Sequence, residues 1–382
     1  MREGQRANQA HTHRQGPLAG IRVLDLATVI AGPGAARYLA DFGADVLKIE
    51  RPGTGDSTRG MGVPDPADGT SLYWKLVARG KRCAVVDLKS DDGRTTILRL
   101  VRDAHVVIEN FRPGTLERLG LGPDVLLEQN PKVVVLRVTG FGQDGPYAGR
   151  PGFATIAEAM SGFASLNGEP DGGPLLPPIA LTDEITAMAG AFTTMVALWS
   201  GEGQVVDVNL LESLFQCMGP LPAAFATTGY LQPRLGSGIP YSVPRGTWRC
   251  SDGHWIAVST SAESVAARVM DLIGFGDRAD LHTFNGRIEA RDEIDARMAA
   301  FCAARPQAEV LHLFEEAQAA AAPIYDMADI ARDQHYAARG SIIEVDGVPM
   351  QGLLARLSAT PGRIRWPGPP LDSSSPDWAP EP

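Results

Sequence analysis

The stretch from Ile21 to Glu50, IRVLDLATVIAGPGAARYLADFGADVLKIE, decides the fold. It opens on a short apolar run, Ile21 to Leu26, of the length and composition that suit a strand. Ala31-Gly32-Pro33-Gly34 breaks that run, Ala35 to Phe42 carries helical spacing, and Asp45 to Glu50 is a second apolar run. Strand, helix and strand in so short a span make a βαβ unit, whose two strands lie parallel.

The same pattern continues downstream. Cys83 to Leu88 reads as a strand, Asp91 to Arg102 as a helix, His105 to Glu109 as a strand, Pro123 to Gln129 as a helix and Lys132 to Val138 as a strand. Ile156 to Phe163 and Asp183 to Trp199 read as helices, and Gln204 to Asn209 as a strand feeding the helix Leu210 to Met218. This alternation predicts an α/β fold with a mostly parallel sheet covered on both faces, over a large domain at 17–220. Pro and Gly crowd the next segment, which reads as a linker at 221–247. A smaller α+β domain is expected at 248–352. It would hold a hairpin about Ser251-Asp252-Gly253, helices over Ser261 to Ile273, Ile288 to Ala304 and Gln307 to Ala320, and a second hairpin about Asp346-Gly347. The Pro- and Ser-rich segment 353–382 either returns to the large domain or hangs free. Residues 1–16 lack periodicity and read as a disordered extension.

Composition narrows the function. The chain has 382 residues, enough for two domains at about 150 residues each. Its net charge of −10 repels phosphate backbones and anionic lipid, so neither nucleic acid nor a membrane surface is an expected partner. No apolar run reaches membrane-spanning length and no signal-peptide core precedes the fold, which predicts a cytoplasmic location. Four scattered cysteines without a C-x-x-C pair, and seven histidines without H-E-x-x-H spacing, point to no metal site. The absence of G-x-S-x-G argues against a common α/β serine hydrolase.

Several strings place chemistry at strand ends, where an open parallel sheet binds ligands. Ala31 to Gly34 lies between strand and helix and reads as a turn or an anion loop. It lacks both G-x-G-x-x-G and a P-loop lysine, so it supports neither a nicotinamide-dependent dehydrogenase nor a nucleotide hydrolase. Lys75, Arg79, Lys81 and Arg82 form a basic segment in an acidic chain, and Arg51, Arg112 and Arg118 follow strands. Glu109-Asn110-Phe111-Arg112 gathers an amide, a ring and a guanidinium, the means to bind, stack on and neutralise a nucleotide. Thr139 to Gly142 offers exposed backbone amides. Asp183 opens a helix rich in small residues, and that position suits either an N-cap or a covalent nucleophile.

Four stretches in order resemble the class III CoA-transferase family, which includes formyl-CoA transferase and carnitine CoA-transferase. They are GIRVLDLATVIAGPGAARYLADFGADVLKIERPGTGD from Gly20, LYWKLVARGKRCAVVDLKS from Leu72, VVIENFRPGTLERLGLG from Val106, and PPIALTDEITAMAGAF from Pro177 followed by GQVVDVNLLES from Gly203. The resemblance implies a Rossmann-like large domain, a small α+β domain, and two chains threaded through one another as an interlocked homodimer. It implies that Asp183 attacks an acyl-CoA thioester and later carries CoA itself before a carboxylic acid accepts it. It assigns Arg51, Lys81, Arg82, Asn110, Phe111 and Arg118 to coenzyme A, which enters as acyl-CoA substrate, with no permanently bound cofactor and no metal. Two departures bear on the chemistry. Ile30 stands where formyl-CoA transferase carries a glutamine, and Phe153 stands where the related α-methylacyl-CoA racemases carry a proton-transferring histidine. An acyl-CoA racemase or isomerase is the enzymatic alternative, and an acyl-CoA sensor the non-enzymatic one.

Overall fold

The computed structural model describes residues 16–380. The expected extension therefore falls, apart from Gly16, outside the described residues. The chain divides into two compact units. One comprises residues up to Ser161, Pro177–Gly219 and His335 onward; the other comprises Gly162–Leu176 and Pro220–Gln334.

The first unit is a six-stranded sheet of β1 (Arg22–Asp25), β2 (Asp45–Glu50), β3 (Arg82–Val85), β4 (Val106–Glu109), β5 (Val134–Thr139) and β6 (Gln204–Asn209), in the order β3-β2-β1-β4-β5-β6. Every pairing is parallel, with Val23 opposite Val46 and Val106, and Val138 opposite Val208. This is the doubly wound order, which reverses between β1 and β4. The strands read as unbroken apolar runs because both faces are covered. Val23, Val46, Ile108 and Leu136 pack on one face under α1 (Ala31–Asp41) and α2 (Leu181–Ser200). Leu24, Leu47, Val107 and Val135 pack on the other under α3 (Asp91–Val101). Fully buried aliphatic side chains of this kind contribute about 1.5–3 kcal/mol each.

The sequence leads one to expect Ala31 to Gly34 as a loop, but these residues are the first turn of α1. Their glycines answer to packing. A Cβ on Gly32 would lie 2.5 Å from the Ala27 Cβ, and one on Gly34 would lie 2.8 Å from the Ala187 Cβ of α2. Only a bare α-carbon lets the two helices approach so closely.

The hairpin about Asp346-Gly347, expected in the small domain, belongs instead with the first unit. Ile342–Val345 and Val348–Gln351 pair antiparallel, and Arg79 donates to the Gln351 carbonyl. The following segment returns to the sheet as well. Ser374 N donates to the Cys83 carbonyl at 2.9 Å and Val85 N to Asp372 Oδ1 at 3.0 Å, so the outer edge of β3 is hydrogen-bonded by the chain's C-terminal stretch. Trp366 Nε1 on the Lys81 carbonyl and Trp378 Nε1 on the Leu100 carbonyl fasten it further.

The second unit contains a three-stranded antiparallel sheet, Arg245–Arg249, Trp255–Ser259 and Ala321–Pro323 in that order. Trp248, Ile256, Met270, Met298 and Phe314 form its core with the helices that follow. Residues 162–176, expected in the large domain, group with this unit: Gly236 N donates to the Gly168 carbonyl, and Arg234 to those of Glu169 and Gly172.

Candidate active site

The carboxyl ends of β1 to β4 open into a cleft of about 440 Å³ beside the strand-order reversal. Leu26, Ile49, Val86 and Leu88 supply apolar wall, and Phe111 and Leu119 close it from the β4 side. Arg51, Lys89, Ser57, Thr28 and Thr115 supply polar groups. Arg51 Nε donates to the Gly55 carbonyl at 2.8 Å, leaving the rest of its guanidinium exposed. Of the three acids that line it, Asp87 is exposed, its side chain accepting from Lys89 N at 3.0 Å, and the other two face cations. Glu50 is held in a two-point pair by Arg59, and Asp56 lies 3.4 Å from Lys48. A ring against apolar wall with phosphates on Arg51 and Lys89 is the chemistry this arrangement can accept.

The residues expected to hold coenzyme A divide. Arg51 and Phe111 line the cleft. Arg118, on the one-turn helix Thr115–Arg118, is exposed and donates to Thr115 Oγ1, whose residue lines the cleft. Asn110 plays another part: its side chain accepts from Thr28 N and donates to the Thr28 carbonyl, both at 2.7 Å, so the amide clasps the ends of β1 and β4 together. Lys81 is fully buried, with Nζ at 2.8 Å from Asp25 Oδ2 and 2.7 Å from the Pro33 carbonyl. Arg82 makes a two-point pair with Asp45 and donates to the Asp377 carbonyl. Neither cation faces the cleft, because each is spent on a structural partner. Lys89, which the sequence reading passed over, does face it, and its place just beyond the end of β3 was the available signal.

Asp183 is the third residue of α2, whose N-cap is Ala180. It is therefore not the cap its sequence position suggested. It is part-buried and is not among the residues lining the cleft. Burial, then the neighbouring Glu158 and Glu184 carboxylates, push its carboxyl up to about 6. The helix N-terminus acts in the opposite direction, but at about 0.3–1 kcal/mol it loses to those causes. No hydrogen bond from a described residue reaches its oxygens. Its neighbours, in contrast, are tied down: Glu158 accepts from Thr182 Oγ1 at 2.9 Å, while Glu184 accepts from Arg37 Nη2 and Tyr38 OH, both at 3.0 Å. Tyr73 is close enough to feel the same charges, and burial followed by Glu184 and Asp183 pushes its phenol up to about 12. Glu158 and Tyr73 come from distant segments, and no sequence spacing announces them. An ionised carboxylate with unengaged oxygens in partly dry surroundings is a stronger nucleophile than one in water.

A family model described as CoA-transferase family III matches residues 18–375. The chain belongs to that family. It is 39% identical over 370 residues to the succinyl-CoA–L-malate CoA-transferase beta subunit of Chloroflexus aurantiacus, covering 93% of this chain and 91% of the relative. It is 35% identical to a succinate–glutarate CoA-transferase of Agrobacterium fabrum, with 94% of each chain covered. Among solved structures, a CAIB/BAIF family protein from Brucella suis superposes with a TM-score of 0.83 at 30% identity, covering 94% of this chain and 97% of that one. This family III member is thus an enzyme of CoA transfer. No helix among its described residues is long and apolar enough to cross a membrane.

Proposed function

We propose that this family III enzyme moves CoA from an acyl-CoA to a free carboxylic acid, with Asp183 as covalent carrier. Asp183 Oδ attacks the thioester carbonyl and CoA thiolate leaves, forming an aspartyl-acyl anhydride. The thiolate then attacks Asp183 Cγ, releasing the donor acid and forming an aspartyl-CoA thioester. The acceptor carboxylate attacks that thioester, thiolate leaves again, and thiolate attack on the new acyl carbonyl yields the product acyl-CoA and free Asp183. Each step exchanges one C–O or C–S bond for another, so no redox or metal cofactor is called for. What supports this reading is the part-buried Asp183 in the first turn of its helix, with no hydrogen-bond donor among the described residues and its carboxyl pushed up to about 6 by burial and by Glu158 and Glu184, in a chain of CoA-transferase family III. The nucleotide end of CoA is assigned to the cleft of Arg51, Lys89 and Phe111. The pantetheine arm separates that end from the thiol, so the nucleophile need not share its wall.

The enzyme is further proposed to act as an interlocked homodimer. Met188, Phe192, Val196 and Trp199 recur along one face of α2 and are exposed, Trp199 by 93%. So apolar a helix face calls for a covering partner. Two relatives from Chloroflexus aurantiacus are named as the beta and alpha subunits of a succinyl-CoA–L-malate CoA-transferase.

The mechanism is tested by incubating the protein with succinyl-CoA and analysing the Asp183 peptide by mass spectrometry after hydroxylamine treatment. A hydroxamate on Asp183 is expected; its absence, with transfer activity intact, overturns the assignment. Deuterium uptake at the α-carbon without an acceptor acid is not expected, because the exposed Phe153 has no proton to exchange.

A further inference from the structure

The first unit holds a second cleft of about 440 Å³, built by the segment 339–364. Arg339, Arg356 and Arg363 all line it. Their side chains make no hydrogen bond or ion pair with any described residue, whereas Arg37, Arg59, Arg79, Arg82 and Arg137 of the same unit all pair with carboxylates. Arg363 is held only through its backbone N–H on the Asp41 carbonyl. The floor is apolar: Ile364 is buried, and Ile343 and Leu353 pack against the small cluster it forms with Val345, Val348 and Met350.

Three exposed arginines line this cleft in a chain of net charge −10, with no carboxylate among the residues that line it. Like charges gathered without counter-ions are a cost unless an anion joins them. From these observations we propose that the cleft of Arg339, Arg356 and Arg363 is a second anion-binding site, taking a small molecule with at least two negative charges. Phosphates and carboxylates would both engage the planar guanidinium forks by paired N–H···O bonds.

The full chain saturated with CoA, so that the first cleft is filled, is titrated calorimetrically with inorganic pyrophosphate and, separately, with citrate. Binding of one anion per chain is expected from at least one of the two, and the tighter arm distinguishes a phosphorylated from a polycarboxylate ligand. Arg339→Gln with Arg356→Gln should weaken that binding by roughly tenfold or more, and Arg356→Lys, which keeps the charge, by less. Far-UV circular dichroism checks that each variant is folded. No binding to the CoA-saturated protein by either anion, or equal binding by the glutamine variant, overturns the proposal. Loss of the dimer in that variant, with neither anion bound by the parent protein, also overturns it and gives the arginines to a second copy of the chain instead.

Discussion

Replacing Asp183 by Asn should make the protein more stable while stopping it from working. The side chain changes little in shape, so the effect isolates the charge. Asp183 is held at about 6 in the fold against 3.8 unperturbed. At about 1.36 kcal/mol for each tenfold change in the ionisation constant, the folded state carries about 3 kcal/mol of penalty for ionising this group. Partial exposure reduces that to about 2–3 kcal/mol. The sign follows from proton counting. Between about pH 4 and pH 6 the folded state holds the proton more tightly than the unfolded chain, so stability falls as pH rises through that window and stays low above it. The Asn variant has no such slope. Its advantage over the parent should be near zero at about pH 4 and reach about 2–3 kcal/mol by about pH 7, a rise in melting temperature of roughly 2–4 °C for a chain of 382 residues. Differential scanning calorimetry of both proteins across that pH range reads it, and turnover with an acyl-CoA and an acceptor acid should drop by at least roughly 1000-fold. An advantage independent of pH, or none at neutral pH, refutes the account of the carboxylate's surroundings. Retained turnover refutes its role as nucleophile.

Other expectations can be checked more simply. In the parent enzyme, kcat/KM should decline as pH falls below about 6, when Asp183 takes up its proton; a flat profile down to about pH 5 would contradict it. Arg51→Ser and Lys89→Ser should each weaken CoA binding by roughly 10- to 100-fold in a calorimetric titration, with the salt dependence of binding reduced. Lys81→Ala should leave Asp25 buried and unpaired, costing about 3–5 kcal/mol in urea unfolding, whereas Arg118→Ala at the surface should cost less than about 0.5 kcal/mol. Gly34→Ala should destabilise by about 1–3 kcal/mol because its methyl meets Ala187, and Ala187→Gly in the same chain should recover part of the loss.

Much of the fold is legible in the chain because its causes are local. The strands around Val23, Val46, Val107 and Val135 read as apolar runs since each is covered on both sides, and Asp346-Gly347 reads as a hairpin turn since both residues take positive φ, 48° and 79°. Where the causes are distant, the reading falls short. Ala31 to Gly34 carries the composition of a loop, and only the approach of Ala27 and Ala187 explains why a helix begins there with two glycines. The hairpin about Asp346 is recognisable, but its allegiance rests on Arg79, 272 positions away. Lys81 and Lys89 look alike on paper. One is sealed against Asp25 and the other stands open at the cleft, and the difference is burial, which a single sequence does not display. Asp183 is singled out by its place in an ordered set of motifs, while Glu158, whose carboxylate acts with burial and Glu184 to raise its ionisation, lies in another element entirely.

The hydrogen bonds along the outer edge of β3 carry a consequence for biosynthesis. Arg82 meets the carbonyl of Asp377 from 295 positions upstream. A ribosome adding about 5–20 residues per second needs roughly 15–60 s to cover that separation. Throughout that interval the N–H of Val85 and the C=O of Cys83 have no partner from their own chain, in a strand that another nascent polypeptide could extend. The most hazardous period in the life of this molecule is the wait for its own tail.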